Sequence, residues 1–113
     1  MESKNKILPI DDSERQKVRL LDYIMGYFPR AQILKAVHSY NSNLKHTGEE
    51  GMTWASEQSV GDGNQIIRHL MDFREALERG DREEAMYHVV AVGWRADELI
   101  ERFDRELPPF DEQ

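Results

Sequence analysis

Apolar residues recur every three or four positions along most of the chain, which is the spacing of one face of an α-helix. Four segments carry this pattern, and no segment shows the strict alternation of apolar and polar residues that indicates a β-strand. The four predicted helices lie between Pro9 and Pro29, from Pro29 to about Asn43, from about Asn64 to Arg79, and from Asp81 to Pro108. The apolar stripe of the third helix consists of Ile66, Ile67, Leu70, Phe73, Ala76 and Leu77.

Glycines and short polar residues mark the helix ends. Gly80 ends the third helix, and Asp81 can cap the fourth, because an aspartate there accepts hydrogen bonds from the free amides of the first turn. A turn this short joins antiparallel helices, so helices three and four are predicted to form a hairpin. At the start of the third helix, Asp62 or Asn64 can act as the cap.

Residues 46–64 are predicted to form a long irregular loop, in which four of the seven glycines lie. Loops of this length are uncommon inside compact domains and are often functional. We therefore predict an all-α fold, a small antiparallel helical bundle of about four helices with an irregular loop at 46–64.

The composition fits one small globular domain. The chain has 113 residues, of which 39% are hydrophobic and 33% are charged, so we expect a single helical domain over residues 1–113 with flexible tails at 1–10 and 108–113. It contains no cysteine, which excludes disulfide scaffolds and thiol catalysis. It has neither the apolar run of a membrane span nor a signal peptide, so we expect a cytoplasmic protein without membrane contact.

The net charge of −7 is unevenly distributed along the chain. Residues 1–46 carry +3, whereas residues 47–96 and residues 97–113 each carry −5. An acidic surface repels the phosphate backbone of nucleic acids, so direct DNA binding is not expected. The same carboxylates can hold a divalent cation or attract a basic protein partner.

Two pairs of metal-ligating residues lie on the predicted hairpin. His69 and Asp72 are three residues apart on the third helix, and Glu84 and His88 are four apart on the fourth. Residues at these spacings share a helix face, so the hairpin can join the pairs in one metal site that binds Mg²⁺ or Mn²⁺. The alternative is structural, with Glu84 completing a helix cap, Asp72 paired with a surface arginine and the histidines hydrogen-bonded within the core.

Trp54, Arg68 and Arg95 are candidates for ligand contacts. Trp54 lies in the glycine-rich loop, where an indole ring can stack on a nucleobase or anchor the loop to the helices. Arg68 precedes His69, and Arg95 follows Trp94. Either guanidinium can hold a phosphate through two parallel hydrogen bonds or pair with a neighbouring carboxylate.

The order of several of these residues resembles a family of small phage and prophage proteins described as dATP/dGTP diphosphohydrolase-like. The resemblance covers about residues 40–100 and rests on Tyr40, Trp54, Arg68-His69-Leu70, Asp81, Glu83 and His88. Ser39 and Ala91 stand where the family carries a lysine and a second histidine.

The resemblance implies a metal-dependent phosphohydrolase that acts on purine deoxynucleoside triphosphates in the host cytoplasm. Glu84 and His69 are then the expected catalytic residues. Arg68 is expected to contact phosphate, and Trp54 to stack on the base. A bound metal supplies Lewis acidity and a more acidic water in such enzymes.

Two other interpretations stay open. A charge of −10 over residues 47–113 fits a non-enzymatic acidic helical phage or prophage protein that binds and modulates a host protein through a basic surface. In addition, Tyr87, Val90 and Trp94 give the fourth helix a second apolar edge, and a helix that is apolar on two sides is usually buried on both. This edge predicts a homodimer or a larger homo-oligomer.

Overall fold

The computed structural model describes residue 13, residues 16–48 and residues 61–105. These residues form helices and turns and contain no β-strand. The chain divides into two compact units, Met1–Gln32 and Ile33–Gln113. The predicted all-α fold class is confirmed.

Three α-helices contain most of the described residues. Helix α1 spans Pro29–Thr47, α2 spans Asp62–Glu78, and α3 spans Arg82–Arg105. None of these helices is long and apolar enough to cross a membrane. The predicted tails at 1–10 and 108–113 lie outside the described residues.

The first predicted helix takes a different form. Among residues 16–28 the structure has a π-helix of five residues, Leu21–Met25, with no buried side chain. A π-helix is a rare form that is found mostly as a single turn. Gly26 follows it directly, and a Cβ atom at Gly26 would lie 2.6 Å from the backbone oxygen of Asp22. This turn therefore requires a glycine.

Helix α1 continues past Asn41–Asn43, where the sequence pattern predicted its end. It stops at Gly48, whose backbone φ of 74° lies in the left-handed region that glycine adopts without strain. The amide of Gly48 donates to the carbonyl of Leu44 at 2.9 Å, which satisfies the last turn. The predicted loop at 46–64 is therefore wrong at its two ends, where residues 46–47 and 62–64 are helical, and residues 49–60 lie outside the described residues.

The turn between α2 and α3 satisfies backbone groups at both helix ends. The amide of Gly80 donates to the carbonyl of Leu77 at 3.0 Å, and that of Asp81 donates to Ala76 at 2.8 Å. This pair of bonds is a Schellman motif, with Gly80 at a φ of 80°. The amide of Glu84 then donates to Oδ1 of Asp81 at 3.1 Å, so the predicted cap of the last helix is confirmed.

Small side chains and polar groups fill the contact between α2 and α3. Among the described residues the buried hydrophobic side chains are Ala76, Ala85 and Ala91. The predicted core stripe is wrong for Ile67 and Leu70, which are 59% and 45% exposed. Alanines at the contact let the two helix backbones approach closely, and the larger apolar side chains consequently lie on the outer faces.

Side chains of α1 contact α3 within the second unit. Nζ of Lys35 lies 2.6 Å from Oδ2 of Asp97. The stem of Lys35 passes close to Gly93, where a Cβ atom would lie 3.2 Å from Lys35 Cδ. The rings of His38 and Trp94 are 6.4 Å apart. These contacts place a histidine of α1 near the α2–α3 hairpin.

Candidate metal centre

Two histidines meet between α2 and α3. Nδ1 of His69 lies 2.9 Å from Nδ1 of His88. His69 is half-buried, and His88 is buried with 9% of its surface exposed. The two residues lie two to three helical turns on either side of Gly80, so the antiparallel hairpin brings them opposite each other.

A carboxylate on each helix extends this pair. Asp72 lies one turn after His69, and one ligand atom from each of His69, Asp72 and His88 lies within 4.8 Å of the other two. We call these three residues the histidine cluster. Glu84 lies one turn before His88, and its Oε2 is 3.1 Å from Nε2 of His88. Three of the four predicted metal ligands therefore share one cluster, whereas Glu84 contacts the other nitrogen of the His88 ring.

Hydrogen bonding assigns the protons when both rings are neutral. Nε2–H of His88 donates to Glu84, which leaves Nδ1 of His88 to accept from Nδ1–H of His69. Burial lowers the pKa of His69, and the charges of His88 and Arg95 lower it further, while Asp72 opposes them. His69 is therefore mostly neutral at pH 7, the form in which an imidazole binds a metal.

The spacing of the two nitrogens is close to that of a metal site. In a tetrahedral site with metal–nitrogen bonds of about 2.0 Å, two nitrogen ligands lie about 3.3 Å apart. The two Nδ1 atoms, which are 2.9 Å apart, would have to move apart by a few tenths of an ångström to reach this spacing. For His69, metal binding through Nδ1 requires its proton to move to Nε2.

His38 and Tyr87 also belong to the site, although the sequence did not indicate either as a site residue. The Tyr87 ring lies 5.5 Å from that of His38, 6.2 Å from His69 and 5.1 Å from His88. Burial lowers the pKa of His38, and the charges of His69 and Arg95 add to this effect. Three of the four histidines in the chain thus surround one tyrosine. The packing of α1 on α3 is what brings His38 there, and no local sequence pattern reports that packing.

The two residues predicted to contact the substrate are Arg68 and Trp54. Arg68 is exposed on α2, and its charge contributes to the lowered pKa of His69. Trp54 lies outside the described residues. The expected contacts of Arg68 with phosphate and of Trp54 with a base stay predictions.

A second polar cluster lies at the open end of the hairpin. Nη1 of Arg95 is 3.2 Å from Oδ1 of Asp62 and 3.3 Å from Oε1 of Glu98. Nε of Arg102 is 3.4 Å from Oδ2 of Asp62. Asp62 and Arg102 have no exposed surface, and Glu98 is buried. We call these four residues the ion-pair cluster.

Asp62 is therefore not the cap of α2. It is the first residue of that helix, and Gly61 occupies the cap position without a side-chain hydrogen bond. Burial raises the pKa of Asp62 to about 6, the hydrogen bond and charge of Glu98 raise it as well, and Arg95 opposes them. The carboxylate turns inward because two arginines of α3 offer it stronger partners than the free amides of its own first turn.

Comparison with protein families, with curated proteins and with solved structures finds no match to this chain. The resemblance of residues 40–100 to the dATP/dGTP diphosphohydrolase-like family stays a prediction. The function proposed below rests on the geometry of the site.

Proposed function

We propose that this protein binds a divalent transition-metal ion at the histidine cluster and uses it to hydrolyse a phosphoric anhydride. The observation that carries the proposal is the convergence of ligand atoms from His69, Asp72 and His88 within 4.8 Å. Metal sites in helical bundles are built in this way, from inward side chains on facing helices.

The donor set favours some ions over others. Two imidazoles and one carboxylate are typical of Zn²⁺ and Fe²⁺ sites that keep open positions for water or substrate. Mg²⁺ prefers oxygen ligands and retains several of its waters. Of the two ions expected from the sequence, Mn²⁺ suits this mixed donor set better than Mg²⁺, and Zn²⁺ and Fe²⁺ compete with it.

Glu84 has a supporting role in this proposal. By accepting Nε2–H of His88, its carboxylate holds the ring with Nδ1 directed toward His69. Carboxylate–histidine pairs of this kind fix the tautomer of the ligand and increase its basicity. Glu84 thus acts through His88, while the ligand atoms come from the histidine cluster.

The substrate that we propose is a purine deoxynucleoside triphosphate, in line with the resemblance to the phage family. When bound, the metal ion would polarise a phosphoryl oxygen and lower the pKa of a coordinated water. His69 would hold the ion that carries this water, Glu84 would act through His88, Arg68 would contact the phosphates, and Trp54 would stack on the base.

The test combines metal binding with turnover. Calorimetry measures the affinity for Mn²⁺, Zn²⁺ and Mg²⁺, and released phosphate or pyrophosphate is measured with each of the four deoxynucleoside triphosphates. We expect Asp72→Asn and the double variant His69→Ala/His88→Ala to lose both metal binding and activity. Asp104→Asn, an exposed carboxylate on α3, is the control and should behave as wild type. Absence of metal binding defeats the whole proposal, whereas binding without turnover defeats the hydrolase alone.

A second candidate function is association with another protein. The described part of α2 and α3 exposes many large apolar side chains, namely Ile67, Leu70, Met71, Leu77, Met86, Tyr87, Val89, Ile100 and Phe103. Exposed apolar surface of this extent marks interaction sites in soluble proteins. We propose self-association through the edge of α3 that carries Tyr87. The alternative is a non-enzymatic protein that binds a basic protein partner.

Light scattering tests self-association directly. A homodimer has twice the 13.3 kDa of one chain. We expect Tyr87→Ser to shift the particle mass toward the monomer, and we expect Tyr23→Ser, an equally exposed tyrosine in the N-terminal unit, to leave the dimer intact. A wild-type mass near 13.3 kDa at millimolar concentration contradicts self-association.

A further inference from the structure

Arg95 belongs to the ion-pair cluster and lies on the same face of α3 as His88 of the histidine cluster. It follows His88 by seven residues, two turns of α3 or about 10 Å along the axis, and so points to the same side of the helix. Its Cζ atom is 5.7 Å from the centre of the Trp94 ring, which in turn lies 6.4 Å from the ring of His38. Its charge acts on both His38 and His69 and lowers the pKa of each. The seven-residue spacing thus places Arg95 on the His88 side of α3, about two turns from the histidine cluster.

The ion pairs of Arg95 use only part of its hydrogen-bonding capacity. Both Asp62 and Glu98 contact the same atom, Nη1, at 3.2 and 3.3 Å. A guanidinium carries five N–H groups, so those on Nε and Nη2 are not engaged by these two carboxylates. The side chain of Arg95 is 27% exposed. It is thus fixed in place and still accessible from solvent.

The surroundings of Arg95 favour an anion on one side only. A shallow cleft of about 190 Å³ is lined by Trp94, Asp97, Glu98 and Glu101. The three carboxylates of this cleft repel phosphate. An anion is therefore disfavoured in this cleft, whereas a metal ion bound at the histidine cluster would add positive charge on the other side of Arg95.

We propose that Arg95 is a phosphate-binding residue, and that a diphosphate or triphosphate chain bridges the metal ion at the histidine cluster and the Nε and Nη2 groups of Arg95. The inference rests on the proposed function, because the metal ion holds the other end of the chain. A guanidinium fixed by carboxylates binds a phosphate with two parallel hydrogen bonds at little further entropic cost. Arg68 is exposed, and no ion pair within the described part of the chain fixes its position, so Arg95 is the better anchor.

The experiment measures the metal and the phosphate separately. Calorimetry first gives the Mn²⁺ affinity of the full-length protein, and then its affinity for pyrophosphate with Mn²⁺ at equal concentration in cell and syringe. The decisive variant is Arg95→Gln/Glu98→Gln, which removes one charge of each sign and leaves the ion-pair cluster neutral. Glu98→Gln alone keeps Arg95 and is its matched partner. Arg74→Gln removes a charge from an exposed arginine of α2 and is the control.

We expect the double variant to bind pyrophosphate about tenfold more weakly than wild type, the loss typical of a charged hydrogen-bond pair, with Mn²⁺ affinity unchanged. Glu98→Gln should bind pyrophosphate as tightly as wild type or more tightly, because Arg95 then has one carboxylate fewer beside it. Arg74→Gln should match wild type. Equal pyrophosphate affinities for the double variant and for Glu98→Gln overturn the role of Arg95. If Arg68→Gln loses pyrophosphate affinity and the double variant retains it, the phosphate-binding residue is Arg68 and not Arg95.

Failure of the proposed function gives a different result. In that case the wild-type protein does not bind Mn²⁺ in the first titration, and the proposed phosphate bridge is then excluded as well.

Circular dichroism reports whether each variant is folded. If the double variant does not fold, Arg95→Lys takes its place, because a lysine keeps the charge beside Asp62 and cannot donate two parallel hydrogen bonds to one phosphate. A folded Arg95→Lys variant with several-fold weaker pyrophosphate binding supports the proposal, and one with wild-type affinity overturns it.

Discussion

The two polar clusters between α2 and α3 differ in how their charges are matched. In the ion-pair cluster, the guanidinium groups of Arg95 and Arg102 meet the carboxylates of Asp62 and Glu98. In the histidine cluster, two imidazoles meet the carboxylate of Asp72, and no lysine or arginine of the described residues forms an ion pair with that carboxylate. The charges of the ion-pair cluster balance, whereas the histidine cluster has more hydrogen-bond acceptors than donors.

This difference indicates that the two clusters, which lie between the same pair of helices, have different functions. A charge-matched buried cluster is costly to break. An acceptor-rich cluster gains a favourable interaction when a cation binds. We therefore expect the ion-pair cluster to determine stability and the histidine cluster to determine metal binding. The predictions below test that division.

The largest loss of stability is expected from substitution of Arg102, which is a fully buried side chain of the ion-pair cluster. Arg102→Met should lower the free energy of unfolding by about 3–5 kcal/mol, because it leaves the Asp62 carboxylate buried with one partner fewer. Urea unfolding monitored by circular dichroism measures this loss. Arg105→Met, which removes an exposed arginine paired with Glu101, is the control and should cost less than about 1 kcal/mol. Similar losses in the two variants would show that the ion-pair cluster is not what stabilises the hairpin.

The second prediction concerns the pH dependence of stability. The folded protein holds the Asp62 proton up to a pKa of about 6, whereas the usual value is 3.8. Between these values the folded state binds more protons than the unfolded chain, so the contribution of Asp62 to stability decreases as the pH rises, by up to about 3 kcal/mol. Asp62→Asn mimics the protonated side chain. Wild type should therefore lose stability relative to this variant between pH 4 and pH 7 in urea unfolding, and a constant difference contradicts the raised pKa.

The third prediction concerns Glu84, which holds His88 without belonging to the histidine cluster. Glu84→Gln should weaken metal affinity about 10- to 100-fold, the usual effect of removing the carboxylate that orients a ligating histidine. The stability of the metal-free protein should change little, because the Glu84 side chain is 48% exposed. Titration calorimetry with Zn²⁺ and Mn²⁺ measures the affinity, and Glu75→Gln, an exposed glutamate of α2, is the control. An unchanged affinity would mean that the orientation of His88 does not depend on Glu84.

The smallest effect is expected outside both clusters, at Gly93. A Cβ atom there would lie 3.2 Å from Cδ of Lys35, the flexible stem of an accessible side chain that can move aside. Alanine is a better helix former than glycine, so Gly93→Ala should stabilise the protein by about 0.5 kcal/mol in thermal or urea unfolding. A loss of stability instead would indicate a rigid contact between α1 and α3, and His38 would then be firmly placed beside Tyr87.

Local patterns in the sequence were sufficient for α2, for α3 and for much of the site between them. The 3.6-residue periodicity predicted an all-α chain, and Gly80 with Asp81 predicted the hairpin, because each of these features depends on backbone bonds between residues at most five positions apart. The same local geometry places His69 beside Asp72 and Glu84 beside His88. Once the hairpin forms, these pairs can meet without further information.

Other features depended on contacts between residues that are far apart in the sequence, and no short segment determines the free energy of such contacts. Asp62 follows the pattern of a helix cap, yet it is buried against two arginines that lie more than thirty residues later in the chain. The apolar stripe of α2 predicts a core that contains both Ala76 and Ile67, yet only Ala76 of these two is buried and Ile67 is 59% exposed. Only the docking of α2, α3 and α1 decided which faces turn inward. It also decided that His38 lies beside Tyr87 and that Arg95 meets Asp62, because the energy of such contacts depends on both partners at once.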